Sequence, residues 1–266
     1  MSAPTPTVTP DSERHGGEPA AAQRRSASKP LLIFVGTALA AAGLFSFLAV
    51  QNTRRAARQA PPADSQLRVT GIPTSVPTQL AYLMGLSTVP TRAAPGFALT
   101  DQHGTTVSLA GLRGHAVVLE FMDPNCVDIC PIVSQEFVDA YHDLGATASR
   151  AVFLAVNVNP YHLDVASMAA YSKAHHLDSL PSWHFLTGPV GSLQAVWRDY
   201  NVEVSAASAT ADVVHTSVAY FIDPSGHERY VAFPMIDHSA KGTAYLPAGP
   251  LAQWGLGIAK VMQSLS

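Results

Sequence analysis

The strongest constraint on this chain lies in its middle. His115-Ala116-Val117-Val118-Leu119-Glu120-Phe121 is a nearly unbroken apolar run of strand length, which reads as a strand buried on both faces. Behind it Ile132, Val133, Phe137, Val138, Tyr141 and Leu144 recur at helical spacing, and Gly145 stops the pattern. The turn between them carries both cysteines of the 266-residue chain, Cys126 and Cys130, and Pro131 follows, a residue suited to a first helical turn. Residues four apart on a helical turn share a face, so the two thiols can close a disulfide or grip one metal ion. A helix N-terminus also favours the thiolate, through its dipole and free amide groups. Two cysteines cannot make a disulfide scaffold, so a close pair points to redox or metal chemistry.

The flanking pattern extends this strand–turn–helix unit into an α/β domain. Phe97–Thr100 and Thr105–Leu109 read as a hairpin around Asp101-Gln102-His103-Gly104. Ala151–Asn157 is a second continuous apolar strand, and Trp183–Leu186 a short one. Helical spacing recurs over Val165–His176, over Leu193–Tyr200, and over Leu251, Trp254, Ile258, Val261 and Leu265. Val218–Ile222 and Arg229–Phe233 flank the turn Pro224-Ser225-Gly226, and residues 201–214 look irregular. Strands alternating with helices, with apolar central strands, argue for a mixed sheet covered on both sides.

The N-terminal quarter is different. Residues 1–30, rich in Pro, Ala, Ser and Thr, read as a disordered tail. Leu31 to Val50 carries no charge and is long enough to cross a bilayer as one transmembrane helix, and a cleaved signal peptide is the other reading. Arg24, Arg25 and Lys29 precede it and Arg54, Arg55 and Arg58 follow, so flanking charge does not orient it. The cysteine pair suits an oxidising compartment, which puts the domain on the extracytoplasmic side of the cell membrane. Residues 51–92, with Pro61, Pro62, Pro73, Pro77 and Pro90, read as a linker, in which Thr78–Met84 has the look of a helical turn capped by Thr78. The domain then spans 93–266. Residues 1–58 carry seven Lys/Arg against three Asp/Glu, and the remainder nine against sixteen. That split suits a basic membrane-flanking end and an acidic soluble domain, and nothing in it points to nucleic acid.

A strand ending in Phe121, then Cys126-Val127-Asp128-Ile129-Cys130-Pro131, then His215 placed 85 residues after Cys130 and just before Val218-Ala219-Tyr220-Phe221-Ile222-Asp223-Pro224-Ser225-Gly226, resembles the Sco/SenC family. Trp183-His184-Phe185-Leu186-Thr187-Gly188 and Trp197-Arg198-Asp199-Tyr200-Asn201-Val202 resemble further stretches of that family, so the likeness covers roughly residues 93–230. The resemblance implies a thioredoxin-like fold, with Cys126, Cys130 and His215 as ligands of copper, as Cu(I) or Cu(II). It implies a metallochaperone that assists assembly of the copper centre of cytochrome c oxidase, with subunit II as partner. The chain departs from the family at Met122-Asp123-Pro124-Asn125, at Asn159-Pro160 in place of Asp-Pro, and at Tyr161-His162 where an Arg follows.

Two other functions compete. A thiol-disulfide oxidoreductase of thioredoxin type needs the cysteines but not His215. A peroxidase of peroxiredoxin type usually wants Thr three residues before its reactive Cys, and here that residue is Asp123. Among weaker candidates, His175-His176 reads as a solvated helix end, where a cation favours the dipole. Asp237-His238 is either a surface loop or a second, weak metal pair. Met122 and Met235 are packing residues or soft auxiliary ligands, and Asp123 and Asp128 are turn residues or tuners of the thiols.

Overall fold

The structure is a computed structural model and describes residues 69–266. The expected tail, the membrane-spanning run Leu31–Val50 and the first part of the linker lie outside those residues. Among the described residues no helix is long and apolar enough to cross a membrane.

A six-stranded sheet organises the chain. Its strands are β1 (Ser87–Ala93), β4 (Ala116–Met122), β5 (Ala151–Asn157), β6 (Trp183–Leu186), β9 (Ala219–Ile222) and β10 (His227–Ala232), in the order β1-β10-β9-β4-β5-β6. The three strands β4, β5 and β6 run parallel, and β9, β10 and β1 add antiparallel to the other side of β4. All seven residues of β4 and of β5 are buried, the reason both read as nearly unbroken apolar runs.

Side chains alternate between two cores, as the pleat requires. Val118, Phe153, Phe185 and Phe221 face one side, and Leu119, Leu154, Leu186 and Ile222 the other. On the first side lie α1 (Thr78–Leu83), the cysteine helix α2 (Ile129–Leu144), α3 (Val165–Ala174) and α5 (Ala248–Leu265). On the second lie α4 (Val190–Asp199) and the hairpin of β2 (Ala98–Thr100) with β3 (Thr106–Ser108). Gln102, in the hairpin turn, donates to Trp183 O (3.0 Å) and accepts from Phe185 N (2.7 Å), so its amide stands in for a neighbouring strand along β6.

The folded body begins earlier than the prolines suggest. Residues 76–92, read as linker, bury Val76, Leu80, Ala81, Met84 and Leu86 and supply all of β1 but its last residue. The helical turn expected over Thr78–Met84 forms, but Pro77 occupies the cap position and no side chain caps it. Two short ribbons were not foreseen. In one, β7 (Val204–Ser205) pairs with β8 (Val214–His215) inside the segment read as irregular. In the other, β11 (Asp237–His238) pairs with β12 (Ala244–Tyr245), closed by a turn at Gly242 (φ 79°).

Candidate metal centre

Cys126 lies in the loop that leaves β4, and Cys130 is the second residue of α2. The first amides of a helix lack internal partners. Asp128, the cap residue of α2, makes no capping bond with its side chain, and the Cys130 amide donates instead to Cys126 Sγ at 3.4 Å. The first cysteine thus serves as an acceptor at the N-terminus of the helix that carries the second. Cys130 is 2% exposed and Cys126 partly exposed, both as free thiols.

The two sulfurs compete for one proton. A hydrogen bond from the Cys130 thiol, with help from the Cys130 and Asp128 amides, brings Cys126 down to about 7, although burial opposes it. The same hydrogen bond, with burial, pushes Cys130 well above the usual thiol value. Beneath them sit two buried carboxyl groups. Burial raises Glu120 well above the ordinary range and lifts Glu136 to about 9, so Glu136 is a neutral acid at pH 7.

Asp123 holds the loop in shape. Its Oδ1 accepts from Asn125 N and from Asn159 Nδ2, each at 2.9 Å, and its carbonyl accepts from Cys126 N at 3.1 Å. Asn159 in turn caps the next turn through Tyr161 N (2.9 Å). Asp123 is therefore a buried turn residue first.

His215 lines the same cleft of ≈ 880 Å³ as Cys126, together with Asp123, Asp128, Val214 and His238. Its Nδ1 lies 3.0 Å from Thr216 O. A carbonyl only accepts, so Nδ1 carries the proton and Nε2 the lone pair. Burial lowers its pKa, partly offset by the Thr216 carbonyl and by Asp123, so the ring is a neutral donor at pH 7. The three expected residues are not yet one cage. Among the described residues no three His, Cys, Asp or Glu side chains stand close enough together to hold a metal ion. His215, on a two-residue ribbon, has to close on the cysteines for all three to bind one ion.

The matching model among protein families is SCO1/SenC, over residues 87–241. The chain belongs to the SCO1/SenC family. Among characterised relatives, the mitochondrial protein SCO2 homolog of Danio rerio is 31% identical over 136 residues, 49% of this chain and 47% of that one. The SCO1 protein homolog of Bacillus subtilis is 26% identical over 132 residues, 49% of this chain and 68% of that one. The chain spans about half the length of the mitochondrial relatives it matches. Among solved structures, ScoI of Bradyrhizobium japonicum with copper bound matches 66% of this chain and 100% of its own, with a TM-score of 0.51 at 21% identity. A SCO1/SenC family lipoprotein of Bacillus anthracis matches 67% and 97%, with a TM-score of 0.53 at 20% identity. These likenesses establish the mixed, thioredoxin-like Sco fold.

Within this SCO1/SenC domain the weaker candidates separate. Met122 is buried in the core, and Met235 is exposed and does not line the cleft. His175 ends α3 as expected but stacks on Tyr171 with ring centroids 4.3 Å apart, and burial lowers its pKa, so it is a neutral ring and not a dipole-paired cation. His238 is the surprise, because β11 carries it to the cysteine cleft, with Nε2 3.1 Å from Asp128 Oδ1. Its signal in the sequence was a His beside an Asp, with nothing to say where the loop would fold.

Proposed function

We propose that this SCO1/SenC protein is a membrane-anchored copper carrier that assists assembly of the copper centre of cytochrome c oxidase, with subunit II as its recipient. Cys126, Cys130 and His215 take the ion, Leu31–Val50 anchors the chain, and the domain stands on the extracytoplasmic side. The observation that carries this reading is the donor set around one cleft. Cys126, drawn toward thiolate near neutral pH, and His215, a neutral imidazole with its lone pair on Nε2, line the cleft. Cys130, whose amide donates to Cys126 Sγ, lies buried behind them and keeps its proton until a metal ion displaces it. Thiolate is the soft donor that selects Cu(I), and imidazole serves both copper states.

The same thiol pair supports a second reading, thiol-disulfide exchange. The Cys126 thiolate would attack a partner's disulfide, and Cys130 would then attack Cys126 Sγ, leaving the partner as a dithiol and this pair as a disulfide. His215 separates the two. The test is copper titration and dithiol exchange measured on the same preparations of wild type, Cys126→Ser, Cys130→Ser and His215→Ala. The carrier reading expects one copper per chain, sulfur-to-copper charge-transfer bands with Cu(II), loss of those bands in both Ser variants, and weak Cu(II) binding with near-normal exchange in His215→Ala. An unchanged metal-to-protein ratio in both Ser variants overturns it. Unchanged Cu(II) binding in His215→Ala leaves exchange as the better account.

A further inference from the structure

Two cysteines and one histidine give three donors. Cu(I) is content with few soft donors, whereas Cu(II) prefers a tetragonal set of four. The cleft that holds Cys126 and His215 has a second imidazole on its wall, His238. It stands on the β11–β12 ribbon, outside the sequence features that drew attention to the other three residues.

The ring of His238 is held as a ligand histidine is held. Histidines that bind metals give their other ring N–H to a carboxylate or carbonyl, which fixes the tautomer and makes the free nitrogen more basic. His238 Nε2 meets Asp128 Oδ1 at 3.1 Å, and Asp128 lies between the two cysteines in sequence. The carboxylate oxygen is the acceptor in this contact, so Nε2 is the nitrogen that donates and Nδ1 is the one left over for a metal ion. His215 is arranged in the same way through the Thr216 carbonyl. Two imidazoles on separate ribbons, β7–β8 and β11–β12, thus border one cleft, each anchored by one nitrogen with the other left as a donor. His238 is half exposed, so it meets an ion arriving from solvent.

We propose that His238 is the fourth donor for Cu(II), oriented by Asp128, and that it is dispensable for Cu(I). The inference rests on the copper-carrier reading. In it the oxidation state decides whether the β11–β12 ribbon is engaged. A Cu(II) ion would take His238 beside His215 and the thiolates, whereas a chain loaded with Cu(I) would not need it, and that side of the cleft would stay open to a recipient.

The experiment uses the full chain in mild detergent, loaded separately with Cu(II) and Cu(I). Pulsed electron paramagnetic resonance counts imidazoles on Cu(II), and competition with chromophoric chelators gives the affinity for each state. Two imidazoles are expected in the wild type and one in His238→Ala. The same substitution should weaken Cu(II) by about 10-fold or more and leave Cu(I) unchanged. Asp128→Asn, whose amide oxygen still accepts from Nε2, should keep the second imidazole, and Asp128→Ala should weaken Cu(II) in the same direction as His238→Ala. An unchanged imidazole count and Cu(II) affinity in His238→Ala overturns the proposal while the carrier reading stands. Equal losses for both copper states also overturn it, since His238 would then act on the site as a whole. A wild-type chain that takes up no copper overturns both.

Discussion

At the scale of single residues, the loop between the strand and the cysteine helix shows what a family pattern conveys and what it leaves out. Cys126, Cys130 and His215 were legible because two cysteines at helical spacing and one distant histidine form a pattern. The support beneath them was not. Asp123 and Asn159 are both departures from the family pattern, and the structure joins them by a hydrogen bond of 2.9 Å. An Asp at 159 would set two buried carboxylates against each other, so an amide is what fits beside Asp123. Sequence alone offered no reason to pair two residues 36 positions apart. The difference between the two thiols was likewise invisible in their spacing, because it comes from burial and from which sulfur receives the helix amides. It leads to a direct prediction. Only the thiolate reacts with alkylating reagents, and thiolate increases as pH rises through the pKa. Iodoacetamide should therefore modify Cys126 with a midpoint near pH 7, while Cys130 stays unreactive to well above the ordinary thiol range. Mass spectrometry of tryptic peptides after timed labelling from pH 5 to 10 reads both at once, and equal rates at the two sites would contradict the shared-proton arrangement.

At the scale of elements, continuous apolar runs gave the central strands their places, and periodicity gave the helices theirs. The misses have physical causes. β1 holds Pro90, which cannot donate to a ladder, and its pairing with β10 shifts between Thr88 and Arg92. It survives because it is an edge strand, pinned by Arg92 Nε at 2.6 Å from the buried carboxylate of Glu228. The ribbons β7–β8 and β11–β12 are two residues per strand, too short for any alternation to register. α5 was foreseen, but the reason for its glycines was not. A Cβ at Gly255 would lie 2.6 Å from Asp139 Cβ and 3.1 Å from Ala140 N, so α5 and the cysteine helix α2 meet there nearly backbone to backbone. Asp139 Cβ is tied to its own backbone and cannot turn aside. Gly255→Ala gains up to about 1 kcal/mol of helix propensity but has to push the helices apart, at about 1–3 kcal/mol. The expected result is a net loss of stability, seen as a lower urea midpoint at unchanged slope. A rise in the midpoint would mean that α5 is not seated as described.

At the scale of the whole molecule, the family match covers residues 87–241, and two helices lie outside it, α1 before and α5 after. They pack on each other, since a Cβ at Gly257 of α5 would collide with the Met84 sulfur just past α1, and Trp254, Ile258, Val261 and Met262 join Ala81, Met84 and Leu86 in one core with Cys130 and Phe137. The additions therefore brace the helix that carries the site. This makes residues 69–93 part of the folded domain and not a linker, and it can be tested by where the chain is cut. Chains beginning at residues 69 and 95 should differ sharply. The shorter one loses Val76, Leu80, Met84 and Leu86 from the core, uncovers the edge of β10 and strands Glu228 without Arg92. At about 1.5–3 kcal/mol for each large apolar side chain, the loss is on the order of 5 kcal/mol or more, comparable with the entire stability of an ordinary domain. The shorter chain should be aggregated or should unfold in low urea, and the longer one should show a single cooperative transition. If the two shared one midpoint, residues 69–93 would be a linker after all, and the cysteine helix would stand on α5 and the sheet alone.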